Sequence, residues 1–321
     1  MTGGDRQAVL VLGMHRSGTS AVAGALNLLG AAMPARPLNP APDNPSGFWE
    51  TAYVLGVNDR ILSASGHTWF DCLDFESEAL DAPSRASAMT FVLLCVMLEF
   101  SRDPLLLIKD PRLSLVLDLW LAALHQTGIA AATLLVVRHP AEVVASLAQR
   151  DGLPAALSTA LWLRYMLAAE SASRGQRRHV LPYDGLLRDW RSALHQAGRA
   201  TGIAWPLAFD SVAGRMEGFL NPGLRHHRAL SSARQMVGVP LGTWADEVYE
   251  TLLGLDGPAS AAGQQRLDHV HAAFRDWCHA QGRDWAGGLL RGNTIRTQPR
   301  FGVPAQWEAM AARLELAPAA G

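Results

Sequence analysis

The stretch from Val9 to Ser20, VLVLGMHRSGTS, constrains this chain more than any other, because an unbroken apolar run ends directly in a glycine-bounded turn rich in donors. Val9 to Leu12 has the character of a strand buried on both faces, and Ala21 to Leu29 carries apolar residues at helical spacing. The turn therefore lies between a parallel strand and a helix N-terminus. Such a turn cradles an anion: the first helical amides have no intrahelical acceptor, and the helix dipole adds positive potential where an oxyanion sits.

Gly13 and Gly18 have the spacing of the G-x-x-x-x-G-K-[ST] phosphate loop, but Thr19 occupies the lysine position. A triphosphatase needs that lysine on its β and γ phosphates, whereas this loop carries its cation three positions earlier, at Arg16. Arg16, Thr19 and Ser20 suit a different anion. A plain glycine turn joining strand to helix is the competing reading.

The chain has 321 residues, of which 49% are hydrophobic, so one large α/β domain can fold without disulfides or a structural metal. A formal net charge of -1 argues against holding nucleic acid or an acidic membrane through bulk charge, so any basic site is local. Cys72, Cys95 and Cys278 form neither a metal-ligand cluster nor an even disulfide framework, and read as core thiols of a protein in a reducing compartment. No secretory signal is evident, since the apolar run after Arg6 ends in His15 and Arg16. The apolar runs Phe91 to Leu98 and Leu113 to Leu124 are too short to span a bilayer or are interrupted by Asp118, which leaves a cytoplasmic protein as the expectation.

Gly30 ends the first helix, and five prolines between Pro34 and Pro45 make an irregular loop that finishes in Gly47-Phe48-Trp49-Glu50. A loop this long beside a phosphate cradle is expected to fold over the site, with Glu50 opening a helix whose Val54, Val57, Ile61 and Leu62 are buried. A helix over Ser84 to Arg102 precedes an apolar strand, Pro104 to Lys109, with charge only at its end. Ligands of open parallel sheets bind beyond the C-terminal strand ends, so Lys109, Asp110 and Arg112 fall on the rim that carries Arg16. They read equally as an ion-pair network there.

Pro111 and Pro140 suit first helical turns, and between them Ala132 to Val137 forms a third strand ending at Arg138. The helix from Pro140 to Arg150 places Ser146 where it and Arg138 can share one anion. A helix from Ala155 to Ser173, a short strand at His179 to Pro182 and a helix from Asp184 to about Gly202 follow. These alternations indicate right-handed crossovers and a doubly wound parallel sheet flanked by helices. Beyond about residue 205 the pattern becomes mainly helical, within one domain spanning 1 to 321. His67 and Trp69 read either as lining for an acceptor or as cover for the core edge, and Arg225 to Arg228 as a basic loop.

Together, from Val9 to about Trp190, these features resemble the bacterial sulfotransferases that take their sulfuryl group from 3′-phosphoadenosine 5′-phosphosulfate (PAPS) and release adenosine 3′,5′-bisphosphate. The resemblance implies a P-loop NTPase-like sulfotransferase fold. In that family a [KR]-S-G-[TS]-[TS] loop holds the 5′-phosphosulfate, and here it is Arg16-Ser17-Gly18-Thr19-Ser20, preceded by His15 where many members have proline. An Arg followed eight positions on by Ser binds the 3′-phosphate, and Arg138 and Ser146 match it. Tyr183 to Leu187 is similar to the segment packing near the adenine, and Arg225 lies where members close a loop over the 3′-phosphate.

One departure changes the expected chemistry. Cytosolic members carry a catalytic histidine after the strand ending here in Lys109, and this chain has Pro111. The pattern resembles branches in which a glutamate takes the acceptor proton, which makes Glu50 the preferred base and Asp110 the alternative. Sulfuryl transfer passes an electron-poor group in line between two oxygens, so the protein's task is positioning and charge stabilisation. The resemblance assigns that task to Arg16, the loop amides, Thr19, Ser20 and Lys109, with no metal. The acceptor is a small molecule or carbohydrate bearing a hydroxyl or amine. A P-loop kinase or NTPase, and a non-catalytic nucleotide-binding protein, are the alternatives.

Overall fold

The computed structural model describes residues 6–39, 47–100, 103–220, 232–255, 260–282, 284–290 and 303–315. Four strands, β1 (Gln7–Leu12), β2 (Leu105–Lys109), β3 (Ala130–Val137) and β4 (Arg178–Pro182), form one all-parallel sheet in the order β2-β1-β3-β4. Leu10 stands beside Ile108 on one side and Thr133 on the other, and Leu135 beside Val180.

The near-continuous apolar strands follow from burial on both faces. Side chains alternate between two cores. Leu10, Leu12, Ile108, Leu135 and Val180 enter the larger one, and Val9, Val11, Leu107, Leu134 and Val136 the smaller. The smaller core is closed by α1 (Thr19–Leu28), α8 (Trp190–Thr201) and α9 (Phe209–Phe219). The larger is closed mainly by α2 (Ala52–Ala64), α3 (Ala82–Glu99), α4 (Leu113–Gln126), α5 (Pro140–Asp151) and α6 (Ala155–Ala172). The short α7 (Tyr183–Arg188) follows β4 directly.

Among the described residues all regular structure after Trp205 is helical: α9, then α10 (Ala233–Val237), α11 (Leu241–Leu253), α12 (Ser260–Gln281), α13 (Asp284–Leu290) and α14 (Ala305–Glu315). Of these, α11 packs on α5 and α6, α12 on α6 and α11, and α14 on α3.

Local chemistry sets the boundaries, and several differ from the sequence expectation. Thr51 caps α2 by accepting from the Tyr53 amide, so Glu50 stands one residue ahead of the cap instead of opening the helix. The single helix expected over Asp184 to Gly202 is two, because the Asp189 carboxylate turns back to accept from the Ser192 amide and starts α8. Helix α3 starts earlier, behind the Asp81 cap, and its 18 residues are long and apolar enough to cross a membrane, contrary to the expectation that no segment is. Here it packs against α2, α4 and α14 and carries the fully buried Glu99. Cys72, Cys95 and Cys278 are buried free thiols.

Candidate functional site

Strand β1 has β2 on one side and β3 on the other, so the loops leaving β1 and β3 meet at the point where the strand order reverses. The first of these loops runs from Gly13 to Gly18. Gly13 has φ +136°, and a Cβ there would sit 2.7 Å from the Val136 carbonyl oxygen, so only glycine lets the loop lie this close to β3. Its amide donates to Ser114 Oγ at 3.0 Å, an anchor on α4 that the sequence did not reveal.

Gly18, at φ +92°, ends the loop as the N-cap of α1, with the Tyr183 ring against it: a Cβ would lie 2.2 Å from Tyr183 Cδ2. Among the described residues no side chain caps α1 and no acid stands in its first turn, so its first amides can take an anion. Ser17 Oγ is fully buried and has no hydrogen-bond partner among the described residues. A hydroxyl in that state fits a phosphate or sulfonate oxygen, and the donor set of the loop suits such a group. Thr19 is buried beneath the turn, its methyl 3.3 Å from the position of a Gly13 Cβ.

Arg16 links the two loops. Its backbone is left-handed, with φ 67°, and its Nε donates to Ser146 Oγ at 2.9 Å. Arg138, at the end of β3, donates from Nη1 to the Arg16 carbonyl at 3.0 Å and from Nε to Glu142 at 2.9 Å. Its guanidinium lies over the Tyr183 ring, 5.1 Å from the centroid. Arg138 and Ser146 are thus gathered around Arg16, and their link runs through Arg16. Glu142, one helical turn from Arg138, was missed in the sequence although i,i+4 spacing marks such a pair.

The rim after β2 holds a second cluster. Lys109 Nζ donates to Glu50, to Ser20 Oγ at 3.1 Å and to the Phe48 carbonyl at 3.0 Å. Burial raises the proton affinity of Glu50, and the Lys109 ammonium opposes that rise. Asp110 faces another way: Asn58 Nδ2 donates to one oxygen at 2.7 Å and Arg112 Nη1 to the other at 3.1 Å. Asn58 in turn accepts from Trp120 Nε1 at 2.8 Å, and Arg112 Nε lies 2.7 Å from Asp59. Asp110 and Arg112 form an interior network, and Glu50 with Lys109 sits beside α1.

His15, ahead of Arg16 in the loop, is buried. Its ring packs 4.9 Å from Trp69 and 5.7 Å from Tyr165, and Nε2 is buried without a partner among the described residues. Burial, with Arg112, Arg150, Lys109 and Arg16 nearby, lowers its pKa well below the ordinary value and keeps it neutral. Trp69 is buried, and His67 pairs with Asp71 at 3.3 Å. Arg225 lies outside the described residues.

No protein-family model matches the chain, and no curated protein matches it. Among solved structures it is similar to the sulfotransferase domain from the Synechococcus PCC 7002 olefin synthase, at 18% identity and a TM-score of 0.41 over 85% of this chain and 96% of that one. It is also similar to the sulfotransferase STF1 from Mycobacterium tuberculosis H37Rv, at 15% identity and 0.39 over 67% and 78% of the two chains. The sulfotransferase domain from the curacin biosynthetic pathway gives 16% and 0.39 over 83% and 98%. At these scores the functional reading rests on the residues of this chain.

Proposed function

We propose that the chain is a sulfotransferase that uses PAPS as donor, releases adenosine 3′,5′-bisphosphate, and sulfates a hydroxyl or amine on a carbohydrate or small metabolite. The observation that carries this reading is the chain of contacts Arg138 to Arg16 to Ser146, which ties the loop after β1 to the end of β3. A nucleotide with phosphates at both ends of its ribose matches two linked basic groups better than a triphosphate does. The kinase and NTPase reading lacks its lysine, since the buried Thr19 stands in that place. Three buried free thiols favour a reducing compartment such as the cytoplasm.

In this reading the loop amides, Ser17 and Arg16 hold the phosphosulfate end, while Arg138 and Ser146 hold the ribose 3′-phosphate. PAPS supplies a sulfuryl group on a phosphate leaving group. The acceptor oxygen bonds to sulfur, the bond from sulfur to the phosphate oxygen breaks with its electron pair left on the phosphate, and the acceptor proton passes to Glu50. Arg16 and the dipole of α1 stabilise the charge that grows on the phosphate. Glu50 is preferred as base over Asp110, whose two oxygens are engaged by Asn58 and Arg112.

A thermal-shift comparison tests the donor. Adenosine 3′,5′-bisphosphate at a hundredfold over its Kd stabilises the fold by about 2.7 kcal/mol, and stabilisation by ATP alone would end the reading. Turnover with labelled PAPS over a panel of sugars and small alcohols then identifies the acceptor.

A further inference from the structure

The last residue of β2, Lys109, is 4% exposed, and its ammonium has three protons to place. Three acceptors take them: the Glu50 carboxylate, Ser20 Oγ and the Phe48 carbonyl. The lysine is saturated. It reaches no sulfonate unless it gives up one of these partners, and Glu50 receives no proton easily while an ammonium sits on it.

The partners belong to two parts of the site. Ser20 is in the first turn of α1, whose N-terminus is the proposed anion cradle, and Phe48 and Glu50 belong to the segment before α2 that lies beside it. That segment is held in an uncommon conformation. Gly47 and Trp49 both have left-handed backbones, φ 93° and 60°, and the second is not glycine. Trp49 Nε1 is buried with no partner among the described residues, while its ring meets Phe219 edge-on at 5.8 Å. Lys109 bonds this segment at two points, Phe48 and Glu50, beside the longer direct bond from Ser20 Oγ to the Phe48 carbonyl at 3.4 Å.

Resting on the sulfotransferase reading above, we propose that Lys109 is a latch released by the donor: its ammonium leaves Glu50 for the sulfonate when the cradle fills, and Glu50 is thereby freed to take the acceptor's proton. Burial and the neighbouring Asp110 both favour the protonated form of Glu50, and Lys109 with the more weakly acting Arg112 opposes them. Withdrawing Lys109 removes the larger opposing charge. The base is therefore armed only in the donor-loaded protein, and the acceptor's proton cannot be taken before the sulfuryl group is in place.

The test follows the Glu50 carboxyl by carbon NMR in full-length protein with labelled glutamate, assigned by the signal lost in Glu50→Gln. Two ligands are compared: adenosine 3′,5′-bisphosphate, and a PAPS analogue in which a methylene replaces the bridging oxygen so that nothing transfers. The analogue is expected to raise the Glu50 titration midpoint by a unit or more, and the bisphosphate, lacking a sulfonate, to leave it in place. In Lys109→Met the midpoint is already high without ligand and the analogue adds nothing. If the analogue binds by thermal shift and the wild-type midpoint stays where it was, or moves equally with the bisphosphate, the latch is overturned while the donor assignment stands. Absence of binding by both ligands overturns the donor assignment and the latch with it.

Discussion

The Nε of Arg16 donates to the Oγ of Ser146 at 2.9 Å, and that bond closes a gap of 130 residues between the loop after β1 and the second turn of α5. In the proposed donor complex the first group belongs to the phosphosulfate end and the second to the 3′-phosphate end. Both groups lie near the reversal point of the sheet, and a donor bound as proposed would separate them and take each as a partner of its own.

Ser146→Ala is accordingly expected to weaken adenosine 3′,5′-bisphosphate more than AMP. Losing a hydrogen bond to a charged phosphate costs about 1.5–3 kcal/mol, roughly ten- to hundredfold in Kd. Calorimetric titration with both nucleotides reads the difference. An equal loss for the two would assign Ser146 to loop order instead of 3′-phosphate recognition.

Arg138 carries two duties that a pair of variants separates. Its side chain and that of Glu142 are 9% and 1% exposed, so Arg138→Ala removes the cation paired with a buried carboxylate, at a cost of about 3–5 kcal/mol in unfolding free energy. Adding Glu142→Gln removes that charge and should restore most of the stability in urea denaturation. Affinity for the bisphosphate should stay low in both variants. Recovery of affinity along with stability would reduce Arg138 to a structural role.

Much of this was legible in the sequence because it is local. The apolar runs ending in Gly13, Lys109 and Arg138 give three of the four strands, and the glycine spacing gives the cradle, since burial on both faces and positive φ leave compositional marks. What was not legible depends on partners far along the chain. The ion-pair reading of Asp110 with Arg112 was open in the sequence, but nothing around Asp110 announces Asn58, and the Phe48 carbonyl that holds Lys109 is a backbone atom with no residue signature. The break at Asp189 was hidden because an aspartate that accepts from the amide three residues on looks, in sequence, like any helical acid. Glu50 was misplaced by two residues relative to α2 because Thr51 competes for the cap.

His15 should leave a mark on acid stability. Its folded pKa lies well below the ordinary histidine value, so between the two the unfolded chain binds a proton that the fold does not. Stability from this group is complete above about pH 6.5 and is lost as pH falls toward the folded value, at up to ~1.4 kcal/mol per pH unit. His15→Phe keeps the ring packed against Trp69 and Tyr165 and removes the titration. Urea midpoints measured from pH 7.5 to 5 should therefore fall less steeply in the variant than in the wild type. Parallel slopes would mean that His15 is protonated in the fold.

Asp110 and Glu50 are both buried acids on one rim, and geometry separates them. The Asp110 oxygens are bound by Asn58 and Arg112 inside the molecule, whereas Glu50 faces Lys109 and the start of α1. Asp110→Asn removes the carboxylate charge paired with the buried Arg112 guanidinium, and is expected to lower unfolding free energy by about 3 kcal/mol. Turnover per folded molecule should stay within about tenfold of wild type, because the Asp110 oxygens are bound by Asn58 and Arg112. Glu50→Gln removes the proton acceptor and should cost about two to four orders of magnitude in kcat, with bisphosphate affinity retained. A drop in kcat of that size in Asp110→Asn, with Glu50→Gln still active, would exchange the two roles.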